Sequence, residues 1–199
     1  MTIRTLEVAG FHSALHAMRN PMNSWNRCDT VTGKVGRADK TLSKKLAKAG
    51  PEHAKHLRMI MVWADITAPR YWWTEFDTYR IGVEKISCST MHKLMERNLE
   101  LDDFEGWSQN STLSTAVMNI NWLMEQYKTE EDQELKKLLW RNIIQLLPQS
   151  YLQTRTVMVS YAALRNIYSQ REGHKLSEWE LFRQWIESLP ESWMITDRE

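Results

Sequence analysis

Residues 66–92, ITAPRYWWTEFDTYRIGVEKISCSTMH, decide how the rest of the chain is read. Pro69 has a fixed φ that suits the first turn of a helix, which predicts a helix over about residues 69–79. Gly82 then lets the backbone leave that helix. The segment sets an Ala-Pro entry, a Trp pair, Glu75, Asp77, Tyr79 and Arg80 ahead of a hydroxyl-rich turn with Ser87, Ser89 and Thr90. Arginine and hydroxyl donors beside aromatic walls suit a nucleotide pocket. Each also has a plainer reading. Arg80 can pair with Glu75 or Asp77, Trp72 and Trp73 can belong to the core, and the hydroxyls can cap a helix.

Composition narrows the class. The 199 residues suit one domain of ordinary size, spanning 1–199, with a real core. Lys plus Arg (26) nearly balance Asp plus Glu (25), so no global field points to specific nucleic-acid binding or an acidic membrane. Cys28 and Cys88 are the only cysteines, and with no CxxC or secretory signal a reducing, cytoplasmic setting is expected. No apolar run approaches the roughly 20 residues of a membrane span. The ten tryptophans are expected in the core or an oligomer interface.

In chain order, residues 2–8 read as an edge strand, and Phe11, Leu15 and Met18 fall at helical spacing. Residues 21–40 read as a long polar loop, a feature that often carries function. A helix over 41–48 is stopped by Gly50-Pro51, and Glu52-His53 opens a further helix. Residues 58–65 read as a strand. A polar connection after His92, with a short helical turn, leads to a helix capped by Ser114 with Val117, Ile120, Leu123 and Met124 on one face. Thr129 caps the next, whose Leu135, Leu138, Leu139, Ile143, Leu146 and Leu147 form a broad buried face. Pro148 ends it. Residues 152–159 form a strand, 160–170 a helix, and Ser177-Glu178-Trp179-Glu180 a capping box that opens a last helix to about Leu189.

Several of these pieces resemble the flavin-dependent thymidylate synthases. Residues 68–80 look like the segment leading into that family's Arg-His-Arg signature, with Thr78-Tyr79-Arg80 on the signature and only the last arginine kept. Val83, Lys85-Ile86 and Ser89-Thr90-Met91-His92 occupy the region that ends in Ser-x-Arg-Tyr in the family. The Gly-x-Glu-His start at Gly50 resembles its Gly-His segment, and Arg19 falls where it carries an arginine near the end of the first helix. Residues 147–181 look like its C-terminal block. There Ser160-Tyr161-Ala162 replaces Asn-x-Arg, Asn166 and Arg171 fall on flavin- and nucleotide-contacting positions, and His174 sits near a following His. The pieces are collinear over roughly residues 10–185.

The resemblance implies an α+β fold, an antiparallel sheet flanked by helices, and a homotetramer with shared pockets. It implies nucleotide binding by Arg80, Asn166, Arg171, Tyr79, Glu75, Ser87, Ser89, Thr90, Arg155 and His174. His53 and Arg70 would face a cofactor, for which flavin adenine dinucleotide (FAD) is the candidate. Several cationic positions of the family are exchanged, and losing two charge-assisted bonds costs on the order of 3–6 kcal/mol. The expectation is therefore a nucleotide-binding protein that is not a working thymidylate synthase. Divergent members of this look occur in phage-type genomes, so capture of a nucleotide signal for a phage follows by analogy. The alternative is a divergent enzyme that methylates a uridine nucleotide. No catalytic residue is assigned: nothing in the sequence around Cys88 activates a thiol. His53 and His56 lack a carboxylate in register for a metal.

Overall fold

The computed structural model describes residues 1–31, 34–106 and 111–197. Four strands, β1 (Thr2–Ala9), β2 (Met61–Pro69), β3 (Val83–Ser87) and β4 (Leu152–Ser160), form one sheet in the order β1-β2-β4-β3. Thr156 Oγ1 donates to Asp65 at 2.7 Å, and the hydroxyls of Thr67 and Thr154 meet at 2.7 Å. One number rises as the other falls, so β2 and β4 are antiparallel. Ser160 N to Gly82 O and Cys88 N to Thr154 O, each 2.9 Å, give β3 the same relation to β4. The α+β class and the edge position of β1 match expectation. Strand β3 was not anticipated: of its five residues only Val83 is buried, too few to show an alternating pattern.

The chain divides into two compact units, one of residues 1–2, 67–76 and 87–155, the other of residues 3–66, 77–86 and 156–199. In the first unit, helix α3 runs Arg70–Phe76, and Pro69 ends β2 instead of opening the helix. Proline's φ suits an extended strand end equally well. Trp72, Trp73 and Phe76 are wholly buried, with ring centroids 4.9–5.5 Å apart, so the Trp pair is core. A short helix α4 (Thr90–Lys93) follows, then α5 (Ser111–Thr129), which buries Leu113, Val117, Ile120 and Met124 at helical spacing. Helix α6 (Gln133–Leu146) is capped by Asp132, which accepts from Glu134 N and Leu135 N, and not by Thr129. The Thr129 hydroxyl instead donates back to carbonyls within α5. The broad apolar face expected of α6 is only partly covered. Ile143 and Leu147 are buried, but Leu135, Leu138 and Leu146 are 51%, 54% and 56% exposed. Within this unit α6 packs along α5, and one helix covers one stripe of another.

In the second unit, β2 alternates, with Val62, Ala64 and Ile66 buried. Helix α1 spans Phe11–Ala17, α2 Arg37–Ala49, α7 Tyr161–Gln170, α8 Glu178–Glu187 and α9 Trp193–Thr196. Gly82 has φ +70°, and a Cβ there would lie 2.6 Å from the Ser160 hydroxyl, which is itself occupied capping Ala163 N of α7. Three expectations fail here for identifiable reasons. Glu52-His53 opens no α-helix: turns and a short 3-10 segment (Lys55–Arg58) are all that fits before β2 begins at Met61. Ser177 forms no capping box, because its φ of −61° and ψ of −23° are already helical and its hydroxyl reaches no backbone N–H. Helix α2 starts at Arg37, four residues early, because Asp29 supplies its cap from the preceding loop, accepting from Ala38 N at 2.8 Å and Asp39 N at 2.9 Å. The four-residue α9 is too short to be read from periodicity.

The uneven burial of α6 gives a direct test. Ile143→Ala should cost about 2–5 kcal/mol in urea unfolding, whereas Leu138→Lys should stay within about 0.5 kcal/mol of wild type.

Candidate functional site

The loop after α1, helix α2 and residues 52–59 line a cleft of about 1570 Å³ in the second unit. Five basic side chains line it, Arg19, Arg27, Arg37, Lys45 and Lys55, with His53 and His56, against two carboxylates, Asp29 and Glu52. Arg27, Arg37, Lys45 and Lys55 are exposed; Arg19 and His56 are 4% and 3% exposed. The inner face of α2 beside the cleft is polar. Asp39 and Ser43, one helical turn apart, are both buried. Arg19 donates Nε–H and Nη2–H to Asp39 Oδ1 at 2.7 and 2.6 Å. Asp39 Oδ2 accepts from Thr30 N at 2.9 Å, Asp29 N at 3.2 Å and the Cys28 thiol at 3.3 Å. Burial pushes the Asp39 carboxyl up. Hydrogen bonds from Thr30, Arg19 and Cys28, with the Arg19 charge, outweigh that and hold it below the usual carboxylate range. Gly36 is needed where the loop meets α2, since a Cβ there would sit 2.2 Å from the Asp29 carboxyl.

Ser43 Oγ meets His56 Nε2 at 2.7 Å, both groups buried. Burial lowers the His56 pKa from 6.5 to about 4, so the ring is neutral near pH 7. Its Nδ1 has no hydrogen-bond partner among the described residues. Burial also pushes the Cys28 thiol up, which keeps it protonated.

The residues expected at a site fall into separate groups. His53 lines the cleft, with Nε2 3.6 Å from the Glu52 carboxylate. Also in the second unit, the Arg171 guanidinium lies 4.2 Å over the Trp179 ring and 5.3 Å over that of Tyr79, and its Nε donates to Tyr79 Oη at 2.7 Å. His174 packs edge-on to Trp179 and its Nδ1 accepts from Leu176 N. Asn166 is exposed and accepts from Gln170. Arg80 is exposed, and Asp77, one partner offered to it, pairs with Lys85 at 2.8 Å.

In the first unit, Arg155 lies 4.4 Å over the Trp73 ring and donates to Gln153 at 3.0 Å. Gln153 in turn donates to Thr90 Oγ1 and Cys88 O. Ser89 O accepts from Lys93 N, Ser87 is exposed, and Glu75 is half-buried. Arg70 Nη1 donates to Leu147 O at 3.4 Å.

No protein-family model matches the chain, and no curated protein does. Solved structures do. Two of thymidylate synthase X from Helicobacter pylori, each with FAD and dUMP, align at a TM-score of 0.77. They cover 99% of this chain and 98% and 99% of their own, at 17% and 18% identity. The chain has the fold of the flavin-dependent thymidylate synthases. The collinear motifs had pointed to that fold.

Arg27, Arg37, Lys45 and Lys55 were not singled out by sequence reasoning, and His56 was weighed only as a metal ligand. The available signal was the density of Lys and Arg between residues 37 and 55, directly after the long polar loop. Because His56 stays neutral when folded and takes up a proton near pH 6.5 when unfolded, stability is complete above that value. It falls as pH drops from 6.5 toward about 4. Melting temperature against pH should show that decline in wild type and lose it in His56→Gln. A separate decline in more acid solution, as Asp39 protonates, should persist in both.

Proposed function

We propose that this chain is a nucleotide-binding protein that holds a phosphate-bearing nucleotide in the cationic cleft of its second unit and does not make thymidylate. The observation that carries the reading is the cleft itself, where Arg27, Arg37, Lys45 and Lys55 stand exposed around about 1570 Å³ while Arg19 is taken up by Asp39. That space exceeds the roughly 300–1,000 Å³ of ordinary small-ligand pockets and suits a nucleotide or a dinucleotide. Each bond from arginine or lysine to a phosphate contributes about 1.5–3 kcal/mol, so three such contacts, about 4.5–9 kcal/mol, correspond to millimolar to micromolar binding. The fold supports it further, since the Helicobacter pylori proteins that share it were solved with FAD and dUMP.

Loss of synthase activity is read from the exchanged cations. Thr78 and Tyr79 stand on two signature positions, and Ser160, on the position of an asparagine, is used to cap α7. Arg171 with Tyr79 and His174, and separately Arg155 with Thr90, lie outside that cleft and are proposed, each group by itself, as further nucleotide-contacting positions on the strength of the family resemblance. Arg80, Asn166, Glu75, Ser87 and Ser89 are secondary ones. His53 and Arg70 are assigned to a flavin, if one is retained. The exposed Met118 and Trp122 of α5 supply apolar surface for the homotetramer, and the biological role assigned is capture of a nucleotide signal for a phage.

The test is spectroscopy and calorimetry on the purified protein. A colourless protein that binds dUMP or releases a nucleotide on denaturation is expected. Arg37→Ala with Lys45→Ala should weaken that binding about 10²-fold while leaving the melting temperature of the free protein unchanged. A yellow protein that turns over dUMP would replace this reading with the flavin-dependent methylase. Absence of any melting shift with dUMP or FAD would remove the site.

A further inference from the structure

The neutral imidazole of His56 is not explained by packing alone. It is only 3% exposed, it lines the cleft, and only Nε2 is satisfied, by Ser43. A buried nitrogen without a partner is costly to keep, and native structures rarely do so without a purpose. Two tautomers are open to the ring. With Nε2 protonated, Nε2–H donates to Ser43, and the Ser43 hydroxyl proton is left without an acceptor. With Nδ1 protonated, Ser43 donates to Nε2, and Nδ1–H is the one donor still to be matched.

We propose that His56 is a specificity-determining residue of the cleft, and that its Nδ1–H donates to a carbonyl or phosphate oxygen of the bound nucleotide. The inference rests on the cleft being the nucleotide site. The second tautomer is the one that complements such a ligand. A rim carrying Arg27, Arg37, Lys45 and Lys55 selects an anion rich in acceptor oxygens, and a neutral N–H can meet such an oxygen without adding charge. Nδ1 is shielded from solvent, so the oxygen reaches it only when side chains of the cleft wall shift; Met18 and Met59 belong to that wall, and methionine repacks readily. Nothing else among the described residues offers Nδ1 an acceptor. The Ser43 contact fixes the orientation of the ring, and its hydroxyl can donate to Nε2 in the tautomer that carries the proton on Nδ1.

Two near-isosteric substitutions separate binding from support. In His56→Asn the side-chain amide can occupy the place of Nδ1 and donate there, but it no longer reaches Ser43. In His56→Gln the amide reaches the place of Nε2 and keeps Ser43, but offers nothing at Nδ1. Titration calorimetry of dUMP against the full-length protein, with inorganic phosphate and deoxyuridine as separate probes, reads the difference. Expected is a loss of about 10- to 100-fold in dUMP affinity for His56→Gln with its melting temperature kept. His56→Asn should bind within about threefold of wild type while melting at a lower temperature. The same pattern with phosphate alone would identify a phosphate oxygen as the acceptor, and with deoxyuridine alone a base carbonyl. Equal affinity of wild type and His56→Gln, or loss in His56→Asn only, would overturn the inference while leaving the cleft as the site. Absence of dUMP, phosphate and deoxyuridine binding in wild type would overturn both.

Discussion

Within the second unit, helix α2 is tied to the loop before it by polar contacts, and the Asp39 carboxylate is the centre of them. It takes Arg19 on one oxygen and Thr30, Asp29 and Cys28 on the other, with no exposure of its own. A buried carboxylate is unfavourable unless its lone pairs are filled, and here a cation and several donors fill them. The consequence is geometric: the loop that follows α1 is drawn over the start of α2. Asp29, Gly36 and Thr30 then lock the junction.

That arrangement turns a polar loop into a wall. One helical turn beyond Asp39, Ser43 orients His56, so the same face of α2 supports both the closed loop and the ring at the inner side of the cleft. Within that loop Cys28, Asp29, Thr30 and Gly36 are used in fixing its position against Asp39 and the start of α2. The cations on the outer rim are left exposed, which suits steering and gripping an anion. Elsewhere, arginines sit on aromatic faces: Arg171 on Trp179 and Arg155 on Trp73. Such stacking fixes a guanidinium's plane in advance, which lowers the entropy lost when it meets a planar or charged partner.

Much of the architecture was legible locally. The alternating β2, the apolar stripe of α5, the stop at Gly50-Pro51 and the Ser160 start of α7 are set by period, by proline and by short-range caps. The site was legible only in fragments. His53 and the loop were flagged, but the basic residues between 37 and 55 give no motif, and their meaning depends on which face α2 turns inward.

The sequence alone determined most helices and strands, because hydrophobic period and backbone restrictions act between near neighbours, and its collinear resemblance to the flavin-dependent thymidylate synthases implied the α+β fold. Tertiary structure alone decided the cap of α2 by Asp29, the exposure of the α6 leucines and the buried pairings of Asp39 and Ser43. Each of these depends on a partner brought close by folding. A carboxylate and a guanidinium 20 residues apart carry no local sign that they will meet.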